Sequence, residues 1–260
     1  MRIKTAAVAG MFYPDDPDRL ALLVSKLLTE NPQHGPLPRA LIVPHAGLVY
    51  SGGIAALAYN RIRPYVGRLK RVVLMGPSHR VALSSIATLS ADKWRTPLGD
   101  IPLDIEYGQQ LIETGLVTNN DAAHAQEHCL EVQLPFLQLI GLDKVPLVPL
   151  VVGRVQVRQV AAVIEYVLED AQTLLLISSD LSHFHTYAKA QQLDAQTSQH
   201  IQELRADIQP EQACGCFAMN GLLLSAKRLG LQVERLGSCN SGDTAGDKSR
   251  VVGYAAYAFC

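Results

Sequence analysis

Ala40-Leu41-Ile42-Val43-Pro44-His45-Ala46-Gly47 is the stretch on which the fold turns. Four β-prone apolar residues run without alternation, so they read as a strand buried on both faces, and the proline, histidine and glycine beyond them shape a tight exit. The pattern recurs. Residues 71–75 lead into Gly76-Pro77-Ser78-His79, and 173–177 lead into Ser178-Ser179-Asp180-Leu181-Ser182-His183. Leu147–Val152 is a further buried run.

Helical patterns separate these runs, over 18–28, 51–62 with Ser51 as a cap, 109–114, 156–168, 186–205 and 215–229. Strands alternating with helices predict an α/β fold in one domain over 1–260, with a mostly parallel central sheet and helices on both faces. Residues 86–104 break the rhythm with two prolines and a Gly-Asp pair and predict a hairpin or long loop, while 238–249 reads as a second irregular loop. The closing run 251–259 returns as a strand.

In a parallel sheet the carboxyl ends of the strands lie on one edge, where ligands bind. His45, His79, Asp180 and His183 all lie just beyond predicted strands and should converge there. A lone histidine at a loop more often bonds a carbonyl, but three exits carrying polar groups make a site. Two neutral imidazoles suit zinc, copper or iron and leave room for an anionic third ligand; Asp180, Glu127, Cys214 and Cys239 are the candidates. Spacing does not choose among them.

Composition narrows the function. With 260 residues, 48% hydrophobic and 18% charged, the chain has ample material for a continuous core. A net charge of −1 and a basic cluster at 61–71 without interleaved aromatics predict no direct nucleic-acid binding. No apolar run reaches the roughly 18 residues of a membrane span. The short apolar stretch after Arg2 and Lys4 runs into Pro14-Asp15-Asp16-Pro17, so the chain reads as mature and cytoplasmic. Five cysteines, an odd number, favour reduced thiols or metal ligands over disulfides.

Other templates are weaker. His124-Ala125-Gln126-Glu127-His128 fits the His-x-x-Glu-His zinc-peptidase pattern, but Pro135 interrupts the surrounding helical stretch and no third carboxylate is marked. Cys214 as an acyl-transfer nucleophile lacks a base at a defining distance in sequence. No Gly-x-Ser-x-Gly elbow, Walker loop or Gly-x-Gly-x-x-Gly fingerprint occurs.

A set of motifs in matching order carries a family resemblance. They are Ala9-Gly10-Met11-Phe12-Tyr13-Pro14, Pro44-His45-Ala46-Gly47 with 50–52, Gly76-Pro77-Ser78-His79, Arg95-Thr96-Pro97-Leu98-Gly99, Glu127-His128-Cys129-Leu130-Glu131-Val132-Gln133-Leu134-Pro135, Ser178-Ser179-Asp180-Leu181-Ser182-His183 and Cys214-Gly215. The chain resembles the Memo-like family, known in bacteria and archaea as the B component of the AmmeMemoRadiSam group, nearly end to end. The resemblance implies a fold like that of class III extradiol dioxygenases, whose iron is held by two histidines and a carboxylate. It places the metal ligands at His45, His79 and Cys214, with a thiolate replacing the carboxylate. That softer site holds one transition metal, iron(II) first, with copper or zinc as alternatives. His183 matches an acid/base histidine, Asp180 would orient an imidazole or accept from a ligand's outer N–H, and His128 would lie near the cleft, touching substrate or supporting a metal ligand.

The function so implied is a non-haem iron- or copper-dependent oxidoreductase acting on a small molecule or peptide. The alternative is a non-catalytic metal-binding or peptide-binding adaptor on the same scaffold, accessory to the components of a radical SAM system. No arginine cluster is expected at the motif loops to receive a phosphate.

Overall fold

A computed structural model describes residues Met1–Cys260. In chain order the elements are β1 (Ile3–Lys4), α1 (Pro17–Glu30), β2 (Ala40–Val43), α2 (Leu48–Ile62), β3 (Arg71–Pro77), β4 (Ile86–Thr88), β5 (Lys93–Thr96), β6 (Gly99–Pro102), α3 (Ile105–Glu113) and β7 (Val117–Asn119). They continue with α4 (Asp121–Ala125), α5 (Leu134–Leu139), β8 (Leu147–Val152), α6 (Val157–Val167), β9 (Thr173–Ser178), β10 (His183–His185), α7 (Tyr187–Gln202), α8 (Cys216–Leu229), β11 (Val233–Asn240) and β12 (Val251–Phe259).

The uninterrupted apolar runs do form the middle of the sheet. Strands β2, β9, β3 and β8 lie side by side and parallel. Along each, alternate side chains enter opposite cores. Leu41, Val43, Val72, Leu74, Leu174 and Leu176 pack beneath α1 and α2, while Ile42, Val73, Met75, Leu175 and Ile177 pack against α6 and α8. Burial on both faces is why these strands show no polar alternation. Helix α1 buries Leu20, Val24 and Leu28, one stripe at four-residue spacing, and Asp16 caps it by accepting from the Arg19 amide.

The expectation of a mostly parallel sheet needs correction, because the nine-stranded sheet is mixed. Antiparallel pairing enters at both flanks. β12 runs against β2, β10 and β11, and β4 runs against β8. Both flanking strands adjoin segments that read as irregular. The hairpin expected within 86–104 exists as β5 and β6, but it leaves the main sheet and pairs with β1 in a separate three-stranded sheet. The second irregular loop is shorter than expected, since 238–240 belong to β11. Helix α2 starts at Leu48 rather than at Ser51, whose hydroxyl instead donates back to the Ala46 carbonyl.

The N-terminal segment is held by one buried carboxylate. Glu131 accepts from the Ala7 amide at 2.7 Å, the Val8 amide at 2.9 Å and the Tyr13 hydroxyl at 2.6 Å. This fixes the turn around Gly10, whose φ of 78° is one that L side chains rarely adopt. The Phe12 carbonyl then receives the Leu48 amide at 2.9 Å, which ties this segment to the start of α2. No helix of the chain is long and apolar enough to cross a membrane.

Candidate metal centre

The four parallel strands end on one edge in the order β2, β9, β3, β8. Their exits deliver His45, Asp180, His79 and Arg154 respectively. His45 and His79 meet there as predicted, with ring centroids 5.3 Å apart. His128, from the segment between α4 and α5, joins them at 5.4 Å from His45 and 4.6 Å from His79. One ligand atom from each of these three histidines lies within 4.8 Å of the others. Cys214 stands at the side of His45, its Sγ 3.4 Å from His45 Nε2.

The ring tautomers are set by the hydrogen bonds. The Ser178 hydroxyl gives its single proton to the Cys129 carbonyl at 2.7 Å, so it can only accept from His45 Nδ1 at 2.9 Å. His45 Nδ1 therefore carries the hydrogen, and Nε2 keeps its lone pair beside Cys214. Gln133 holds Ser178 in place by donating to it at 2.8 Å and to the Pro44 carbonyl at 3.0 Å, while its own oxygen accepts from Tyr59 at 2.7 Å. Burial, with His79 and His128 adding to it, pushes the His45 pKa well below its ordinary value, so the ring is neutral at pH 7.

His79 is oriented by the same logic from another direction. Its Nδ1 stands 2.9 Å from Glu127 Oε1, and its backbone amide donates to Oε2 at 2.6 Å. Burial works to raise the Glu127 pKa, but contacts to the His128 and His79 rings overcome it and hold the carboxyl well below the usual range. An ionised Glu127 can only accept, so His79 Nδ1 donates and Nε2 is free. A carboxylate behind a histidine is the usual support of a metal ligand. The free edge of His79 is also the accessible one, its side chain being 27% exposed.

Asp180 supports the opposite side. Its carboxylate accepts from the His45 backbone amide at 2.7 Å rather than from an imidazole, and orientation of that ring falls to Ser178. Burial raises the Asp180 pKa to about 7, against the pull of the His45 and Ala46 amides. The Asp180 amide donates to Cys214 Sγ at 3.3 Å. Burial, then Asp180, push the Cys214 thiol up. The sulfur's place is fixed by Gly215, where a Cβ would lie 2.6 Å from Ser179 Cβ and 3.0 Å from the Ser178 carbonyl oxygen.

These residues fit a metal ion. The three histidines each bring a nitrogen within 4.8 Å of the others, Cys214 Sγ lies beside His45 Nε2, and His128 Nδ1 is buried without a satisfied hydrogen bond, standing 3.1 Å from Glu127 Oε1 in poor alignment. A cation would deprotonate Cys214 on binding. His128, expected near the cleft, sits in the histidine cluster and also lines the cavity around His183. His183 lines a separate cavity of about 530 Å³ with His128, Asp180, Tyr50 and Tyr254. Burial lowers its pKa.

The remaining candidates fall elsewhere. Cys239 lies on β11, away from the cluster, and its thiol is pushed up by burial to about 11. His124 is fully buried, but its Nε2 bonds the Ala87 carbonyl at 2.8 Å. Helix α4 ends at Ala125, so His124 and His128 do not share a helical face. All five cysteines are free thiols.

Two residues escape the sequence reading. Arg80 is the residue after His79, and Arg154 occupies the exit of β8, so the motif loops do carry arginines. The signal that finds His45, His79 and Asp180, a polar residue just past a buried apolar run, also finds Arg154, in Gly153-Arg154 after Val152.

Fold and site together define an α/β protein with a histidine-rich cluster at the edge of its sheet that could hold a metal ion. The model of the family described as "Memo-like protein" matches residues 4–258, and the chain belongs to that family. MEMO1 family proteins are similar along their whole length. That of Aquifex aeolicus is 34% identical over 270 residues, covering 100% of both chains. That of Methanopyrus kandleri is 32% identical over 279 residues, covering 98% of each, and that of Sulfolobus acidocaldarius is 34% identical over 286 residues, covering 99% of each.

Proposed function

We propose that this Memo-like protein is a metal-dependent oxidoreductase whose ion is held by His45, His79 and Cys214, with iron(II) as the first choice and copper or zinc as alternatives. The observation that carries it is the pair of tautomers. Ser178 and Glu127 independently turn a lone pair of His45 and of His79 toward one edge, beside a thiol whose proton a cation would displace. A histidine that merely filled the core would also need one such partner, as His124 has in the Ala87 carbonyl; what favours a ligand role is the second nitrogen left open beside a thiol.

When bound, the metal supplies a redox couple and an open coordination position. The residues around it do the rest. Glu127 stays ionised and keeps His79 and His128 in register. His183, neutral at pH 7 through burial, accepts a proton from a ligand in the cavity it shares with Tyr50 and Tyr254. Asp180 serves His183 less directly, by fixing the His45 backbone and the cavity wall.

The test is anaerobic metal analysis of the protein as isolated, then titration with iron(II), copper(I) and zinc in wild type, Cys214→Ser and His128→Ala. Stoichiometric binding of a redox metal, weakened in Cys214→Ser, with metal-dependent dioxygen consumption in the presence of a reductant that supplies the electrons, is the expected result. Binding weakened by His128→Ala but indifferent to Cys214→Ser would move the third donor to His128. Absence of any metal, or of any uptake, would leave the scaffold as an adaptor rather than an oxidoreductase.

A further inference from the structure

The metal edge opens into a second cavity, of about 660 Å³, on the side away from His183. His79 and Cys214 form one end of it. Arg80 and Arg154 both line it, and no aspartate or glutamate does. Neither guanidinium forms an ion pair: the arginines that do are Arg61, Arg71, Arg95, Arg205 and Arg228. The cavity around His183 differs, because Asp180 and Asp247 line it along with Arg250, whose guanidinium already lies over the Phe184 ring.

The two arginines are brought together by the backbone. Strands β3 and β8 are parallel neighbours in register, Pro77 opposite Val152, so their exits leave side by side. The loop after β3 is laced to the exit of β8. The Ser78 amide donates to the Val152 carbonyl at 3.2 Å, the Gly153 amide to Ser85 at 2.9 Å and the Arg154 amide to Leu83 at 2.8 Å. Ser78 Oγ also donates to the Val81 carbonyl at 2.6 Å, closing the loop on itself. A Cβ at residue 153 would lie 2.1 Å from the Leu83 carbonyl oxygen, so the loop closes this far only over glycine. The rest of the lining is largely apolar, with Val81, Leu83, Val152, Pro210 and Phe217.

The geometry points to a binding subsite for a small organic anion, its charged group between Arg80 and Arg154 and its apolar body against Phe217, reaching toward His79 and Cys214. Two cations with no ion-pair partner, carried on adjacent strand exits, recognise a carboxylate by charge-assisted hydrogen bonds. The pocket volume suits such a ligand. This assignment deepens the metal-centre reading, and so rests on it for its meaning but not for its test.

That test is calorimetric titration of the full chain with benzoate and with its neutral isostere benzamide, in metal-stripped and metal-loaded protein. Wild type, Arg80→Gln, Arg154→Gln, the double variant and the Arg80→Lys/Arg154→Lys pair are compared, each checked by thermal melting; both arginines are exposed. Benzoate is expected to bind at least about tenfold more tightly than benzamide, each Gln substitution to weaken it roughly tenfold, and the lysine pair to recover part of the preference. Benzamide matching benzoate, no benzoate binding up to millimolar concentration, or an unmoved affinity in the double variant overturns the subsite. Arginine-dependent benzoate binding in stripped protein that also refuses every metal would sink the metal centre and leave the subsite standing. A metal-loaded protein indifferent to both arginines would do the reverse.

Discussion

The centre has two sides, each built on one buried carboxylate, and their pKa values are displaced in opposite directions. Glu127 touches two imidazoles and three amides and stays ionised in spite of its burial. The Asp180 carboxylate meets only the His45 and Ala46 backbone amides, and its pKa climbs to about 7. What separates them is the number and kind of donors, because both are almost fully buried. One carboxylate is a permanent anion that sets tautomers. The other is a group whose charge is set by pH and by whatever cation occupies the edge.

The largest effect that would break this contrast concerns Asp180. In metal-free protein its folded pKa of about 7 exceeds the unfolded value of ~3.9, so folding takes up a proton between those limits. Its contribution to stability is fully present below pH ~4 and is lost as pH rises through 7, by at most about 4 kcal/mol. Asp180→Asn should remove that slope, making the metal-free variant more stable than wild type at pH 8 and nearly equal at pH 4 in denaturant titrations. Parallel pH profiles would mean that Asp180 is ionised throughout.

Glu127 should behave with the opposite sign. Its folded pKa is depressed, so its contribution is present above the unfolded value and is lost only as pH falls below it. Glu127→Gln should weaken metal binding by about 10–100-fold at pH 7, measured by competition with a chromophoric chelator. Unchanged affinity would remove Glu127 from the centre.

Gly215→Ala sharpens the comparison on the thiol side. The new methyl must push against Ser179 and the Ser178 backbone, at a cost of about 1–3 kcal/mol, and it displaces Cys214. Once Gly215→Ala is in place, adding Cys214→Ser should no longer change metal affinity. The smallest effect is Ser178→Ala, about 1 kcal/mol in stability, because it leaves His45 Nδ1 and Gln133 without their acceptor. NMR of the histidine nitrogens should show His45 losing its fixed tautomer while His79 keeps it.

Much of this is legible in the sequence alone. Strands β2 and β8 fall where the unbroken apolar runs place them, and the exits of β2 and β3 carry His45 and His79 because buried strand and polar turn are both local signals. The mixed sheet is hidden for a physical reason. Orientation at β12 and β4 depends on where the chain returns from a loop, and nothing in the runs Val251–Phe259 or Ile86–Thr88 records it. Helix α3 begins at Ile105, ahead of the predicted start at Gln109, because Asp104 accepts from the Tyr107 amide, a cap inside a segment that reads as loop. Ser178, Gln133 and Glu127 acquire their roles only through partners 45 to 133 residues away.

Glu131 shows what such separation means for the order of assembly. The segment it clamps is made before it, since Glu131 lies 118 to 124 residues later, and β1 waits for Lys93 and Trp94. Closing loops of that length is slow compared with forming α1 or α2. During synthesis, residues 3–13 therefore emerge early and dock late. Phe12, which packs 4.6 Å from the His128 ring, is then among the last parts of the metal edge to be set.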